Sequence, residues 1–163
     1  MGKKNDLRAP CDACPLQSRK GLRPLAEPEI HFMKSFKMGE INISRGAPLL
    51  MQGSTTPHLY TVLSGVLIRT RLFEDGRRQI LNFMFPGDLV GLQGAMNEPL
   101  EHGVEAMTDV TCCVFSRGGM PLLYRDQPSL GFDVTWLASK QEAELDNHLS
   151  AVGRRSARER IIY

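Results

Sequence analysis

From Lys37 to Phe115 the chain runs in short β-branched and aromatic stretches broken by closely spaced turn signals, a rhythm that suits a small β-barrel or sandwich. Leu59 to Leu63 leads into Ser64-Gly65, and a second run covers Val66 to Leu72. Glu74-Asp75-Gly76 predicts a tight hairpin, because Asp-Gly supplies the positive φ values such turns need. Gln79 to Phe85 is its return strand, and Pro86-Gly87-Asp88 ends it. Val104 to Phe115 is expected to be one further long strand. Its even positions (Val104, Ala106, Val110, Cys112, Val114) are mainly apolar, whereas the odd ones include Glu105, Asp109 and Thr111. Successive strand residues face opposite sides, so Cys112 should enter the core and Cys113 should face away from it.

The pattern turns helical after Gly118-Gly119. Asp126 precedes Pro128, a cap followed by a proline in the first turn. Val134, Leu137, Gln141, Leu145, Leu149 and Val152 then recur with a mean step of 3.6, which predicts one long helix ending or bending at Gly153. Such a helix offers more apolar surface than one small barrel covers, and self-association along this stripe is the favoured use of the remainder. His148 and Gln141 would be the polar members of that seam. Ser156 and Glu159, three apart, mark the start of a second helix. At the other end, residues 1–28 form an arm rich in basic residues, proline and small residues, carrying Cys11-Asp12-Ala13-Cys14; a short helix follows from Pro28 to Met33.

Composition narrows the function. A formal charge of +2 is too small to mark a nucleic-acid binder, although Lys3, Lys4, Arg8, Arg154, Arg155, Arg158 and Arg160 cluster at the two ends. No secretory signal or membrane-spanning run is present, so the expected location is the cytoplasm, where the four cysteines stay reduced. No nucleotide-loop, zinc-protease or nucleophile-elbow motif occurs, and His31, His58, His102 and His148 are scattered, which argues against an enzyme.

Taken in order, Leu59 to Gly65, Asp75 to Leu81, Phe85 to Gly91, Val104 to Asp109 and Gly153 to Arg160 resemble the sensor half of the Crp/Fnr transcription regulators, specifically its Fnr-like branch. The resemblance covers roughly residues 11 to 163. It implies a mainly β fold with helices (α+β): a cupin-like double-stranded β-helix, or β-roll, followed by a long dimerisation helix. The implied parts are an arm (1–28), a cyclic-nucleotide-binding-like β-roll (29–125), a dimerisation helix (126–153) and the start of a connector (154–163). In the family a helix-turn-helix domain follows. The chain is therefore expected to be truncated before it, with DNA and RNA polymerase as partners of the full-length protein only. The implied homodimer interface is Val134, Leu137, Gln141, Leu145, His148, Leu149 and Val152. No membrane partner is implied.

Cyclic-nucleotide binders of this family hold the ribose with a Glu and the phosphate with an Arg and a Ser or Thr. Those positions fall here on Leu92, His102 and Gly103, so cyclic AMP is not the expected ligand and the effector is unknown. His102 is open to a role as a haem or metal ligand, but a loop histidine beside Glu101 is more commonly a surface residue. Fnr-branch oxygen sensors hold an iron–sulfur cluster with a cysteine pair in the arm, a third cysteine six residues on, and a fourth in a late strand. Here Cys11, Cys14 and Cys113 match, and Lys20 stands in the third position. The alternatives are a cluster completed by Asp12 or a histidine, a zinc site, a thiol–disulfide switch, or a cysteine pair without a role. The implied function is a sensor for a redox, oxygen or other non-cAMP signal; an effector-independent regulator or a small-ligand-binding module are the alternatives.

Overall fold

The computed structural model describes residues 11–96 and 99–154. The arm opens with two 3-10 turns, Cys11–Ala13 and Pro15–Ser18. Helix α1 (Glu27–Phe36) carries Pro28 in its first turn, where a missing N–H costs nothing, and Glu29 reaches back to accept from the Ala26 amide at 2.7 Å. It outruns the predicted helix by about one turn.

Eight strands follow: β1 (Lys37–Ile43), β2 (Pro48–Leu50), β3 (His58–Ser64), β4 (Leu67–Leu72), β5 (Arg78–Met84), β6 (Leu89–Val90), β7 (Gly103–Ala106) and β8 (Val110–Ser116). They form two antiparallel four-stranded sheets, ordered β1-β8-β3-β6 and β2-β7-β4-β5. Val62, Leu67, Val104 and Cys112 fill the space between them. The predicted hairpin joins β4 to β5, with the Phe73 amide on the Arg77 carbonyl at 2.9 Å.

The single strand expected over Val104 to Phe115 is in fact two strands in different sheets. The break falls at Met107-Thr108-Asp109, where side chains serve other loops: Thr108 Oγ1 accepts from the Val66 amide and Asp109 Oδ1 from the Arg45 amide. Gly65 is forced at this corner. Its φ is +84°, and a Cβ there would stand 2.3 Å from the Asp109 carbonyl oxygen.

The outer face of β3 and β8 is also buried. Leu59, Cys113 and Phe115 pack there against Met33 and Phe36 of α1 and against Met120. A helix not separately expected, α2 (Met120–Asp126), precedes the long helix α3 (Pro128–Arg154). Asp126 therefore ends α2 instead of capping α3. Gln127, at φ −136° and ψ 67°, makes the break, as the residue before a proline is driven out of helical conformation. Gly153 lies inside the last turn of α3. The Ser156–Glu159 capping signal, Lys3, Lys4, Arg8, Arg155, Arg158 and Arg160 lie outside the described residues.

Candidate sensor sites

Two places on the molecule gather chemistry. The first lies where the arm crosses the outer face of the barrel. Cys11, Cys14 and Cys113 line one cavity of about 20 Å³ together with Leu16, Met33 and Phe115. The alternation in β8 causes this. Cys112 is fully buried between the sheets, so its neighbour must face the arm. Lys37, at the α1–β1 junction, brings a buried ammonium into hydrogen-bonding contact with the Cys113 sulfur and pairs with Glu40 at 2.5 Å. Glu40 is the residue opposite Cys113 across the β1–β8 ladder. Burial pushes the Cys113 thiol up to about 11, against the opposing pull of Lys37, and the Cys14 thiol is raised by burial against the Leu16 backbone hydrogen bond.

An iron–sulfur cluster does not fit these residues as they are arranged. The cavity has room for little more than a water molecule, three thiols are supplied instead of four ligands, and a lysine ammonium already sits among them. A zinc ion meets the same cationic neighbour. Asp12 and Lys20 are both exposed, and neither lines the cavity. Among the described residues no three His, Cys, Asp or Glu side chains converge as a metal site.

Downstream of the cysteines the arm is fastened to barrel and helix together. Arg19 pairs with the buried Asp88 and lies 3.6 Å from Glu144 on α3. Asp88 also accepts from the Phe85 amide, so one carboxylate closes the turn and holds the arm. Gly21 lies against the Trp136 ring, and Arg23 joins Glu29 of α1 to Asp133 of α3 at 2.5 and 3.0 Å. The forked bond to Arg23 holds the Glu29 carboxyl below the usual range.

The second place is a cavity of about 290 Å³ between β4, β6 and α3. Leu92 and His102 line it as expected; Gly103 does not, its backbone lying against Leu50 and Gln52 instead. His102 is no surface residue: it is 5% exposed, and burial with the neighbouring Arg69 charge lowers its pKa to about 4. At neutral pH it is therefore uncharged. Arg69, on β4, was not singled out by the sequence, although it shares the alternating face of Leu67, a core residue. Gln141 closes the cavity from α3 by donating to the Leu89 carbonyl at 2.7 Å.

Residues 40–126, more than half of the 163, match the sequence profile of the cyclic nucleotide-binding domain. The chain belongs to that family. The nitrogen fixation regulation protein FixK of Bradyrhizobium diazoefficiens is 32% identical over 74% of this chain and 50% of its own length. The transcriptional activator protein FnrL of Cereibacter sphaeroides is 24% identical over 93% of this chain and 60% of its own. Among solved structures, the Thermus thermophilus catabolite activator protein has a TM-score of 0.68 at 24% identity, covering 85% of this chain and 62% of that one. The chain spans about half the length of the curated relatives it matches. These are Crp/Fnr-family proteins, and the β-roll with a following long helix is their fold.

Within this domain the apolar stripe of α3 divides. Leu137 is buried against its own barrel, and Val134 lines an apolar cleft under the arm. Leu145 is half-buried, and His148, Leu149 and Val152 are exposed, Leu149 at 73% and Val152 at 59%. The last three border a groove beside Ile80 and Phe83 of β5, which are also exposed. No helix among the described residues is long and apolar enough to cross a membrane.

Proposed function

We propose that this chain is the sensing and dimerising half of a Crp/Fnr-type DNA-binding transcription regulator, and that it reads a redox signal as the oxidation state of Cys11, Cys14 and Cys113. One observation carries the reading: the arm's cysteine pair and Cys113 share one cavity, with Lys37 hydrogen-bonded to the Cys113 sulfur, while the same arm is ion-paired to α3 a few residues on. The names of FixK and FnrL support the regulatory class.

The chemistry needs an oxidant of the peroxide class. A thiolate sulfur takes one oxygen from the peroxide, which leaves as water or an alcohol, and becomes a sulfenic acid. A second thiolate attacks that sulfur, the S–O bond breaks, water departs, and a disulfide remains. Two electrons pass from the sulfurs to the peroxide. Lys37 only partly offsets the burial that raises the Cys113 thiol, so its thiolate is a minor species that the lysine stabilises, and Cys14 supplies the second sulfur. Closing that bond draws the arm inward and shifts Arg19 and Arg23 against Glu144 and Asp133. The register of α3, and through it a dimer seam at Leu145, His148, Leu149 and Val152, follows.

Hydrogen exchange on the reduced and peroxide-treated chain tests this. Amides of Asp133 to Glu144 should change protection on oxidation, and Cys113→Ser should abolish the change. Oxidation without any effect on α3 overturns the proposed coupling.

A further inference from the structure

Arg23, just before α1, stands between two carboxylates on different helices, Glu29 of α1 and Asp133 of α3, and both are buried, at 6% and 9% exposure. One guanidinium serves two acids, and it serves them unequally. Glu29 takes both terminal nitrogens of Arg23, at 2.7 and 2.5 Å, and accepts from the Ala26 amide as well. Asp133 Oδ2 lies 3.0 Å from Nη2 but off the line of a hydrogen bond, and that oxygen is buried with no hydrogen-bond partner among the described residues. Closed in this way, the triad buries one negative charge more than it has cations to match.

The surroundings give Asp133 no further help. It faces the apolar cleft under the arm, roofed by Leu22 and Leu25 and walled by Leu123 of α2 and Leu59 and Phe115 of the barrel. Of the described residues lining that cleft only Arg23 and Asp133 are charged, so α2 and the barrel present no titratable group to it. From α1 comes the like charge of Glu29. The other ties between arm and α3 among the described residues are slight: Gly21 rests on the Trp136 ring, and Arg19 lies 3.6 Å from a solvent-exposed Glu144.

This inequality sets a direction. Burial raises the Asp133 carboxyl above the ordinary carboxylate range, Arg23 pulls it back only in part, and Glu29 pushes it up again; the forked bond to Arg23 lowers Glu29 instead. Lifting the arm would uncover the cleft and return Asp133 to water, where its proton affinity is ordinary. The closed form therefore binds the proton more tightly, and proton binding must favour closure.

We infer that the arm is a strap closed by a proton: one proton on Asp133 holds the arm down on α3, and its loss lets the arm lift so that the carboxylate meets water while Arg23 stays on Glu29. The device is independent of the thiol reading, since it uses none of the cysteines.

The chain's one tryptophan, Trp136, lies under Gly21 and reports the strap directly. Acrylamide quenching of its fluorescence, with far-UV circular dichroism to confirm that the domain stays folded, should fall at least about twofold from about pH 7.5 to about pH 5. Asp133→Asn should give low quenching throughout, with the pH dependence gone. Arg23→Gln should raise quenching at neutral pH and keep the fall in acid. Cys113→Ser should behave as the parent, whatever the outcome for the thiol switch. The inference is overturned if quenching of the parent is flat or rises in acid, the sign expected from loss of the Arg19 pairs, or if the dependence survives in Asp133→Asn or vanishes in Cys113→Ser. The pH comparison on the unaltered chain needs no variant to fold.

Discussion

Acid should destabilise this domain through His102, by an amount the structure sets. The histidine takes up its proton at about 4 when folded and at the ordinary 6.5 when unfolded, because burial and Arg69 oppose the charged form. Above pH 6.5 it is neutral in both states and its contribution to stability is complete. As pH falls from 6.5 towards about 4, only the unfolded chain binds the proton, and stability drops by about 1.4 kcal/mol per unit. The 2.5-unit difference, 6.5 less 4, gives an upper limit of about 3 kcal/mol, fully lost below pH 4. Urea unfolding at neutral pH and at two points in that window, for the parent and for His102→Gln, isolates the effect from carboxylates that titrate in both. The variant should lose less stability on acidification, with the difference opening below pH 6.5. Parallel loss in the two proteins, or an NMR titration placing His102 near 6.5, would refute the reasoning.

Three further outcomes follow from the packing. Gly21→Val should release the arm from α3, since its φ of +98° disfavours a side chain and a Cβ would stand 2.6 Å from Trp136 Cζ2; faster alkylation of Cys14 with little change in the melting of the barrel is the expected readout. Leu137→Ala should cost about 2–4 kcal/mol in chemical unfolding, whereas Leu149→Ala should leave monomer stability nearly unchanged and weaken self-association measured by sedimentation. Iodoacetamide labelling of Cys113 should accelerate about tenfold per pH unit towards 11, with Cys112 slower throughout because its thiol is pushed up to about 12.

Much of the architecture was legible because local rules and tertiary packing agree. β-rich runs between turn signals located β3, β4 and β5, Asp75-Gly76 located the β4–β5 hairpin, and the 3.6-residue recurrence located α3. Alternation along the late strand separated Cys112 from Cys113 and turned the latter towards the arm. The break between β7 and β8 was hidden, because Thr108 and Asp109 act there through hydrogen bonds to Val66 and Arg45, far away in sequence. Lys37 and Arg69 were missed for a related reason. A lysine beginning a strand and an arginine inside one are unremarkable until the fold buries the first beside Cys113 and sets the second, half-buried, beside His102. His102 read as a surface loop residue because nothing local shows that β4 and α3 close over it.

The central claim, that the three cysteines form a thiol switch, is tested most directly by non-reducing peptide mapping of the full chain after mild peroxide treatment, with iron and zinc measured on the same protein purified without oxygen. The account predicts a Cys14–Cys113 cross-link, Cys112 left as a thiol, and no stoichiometric metal. A metal-loaded protein whose Cys11, Cys14 and Cys113 resist oxidation until the metal is removed would contradict it, as would peroxide treatment that leaves all three unlinked.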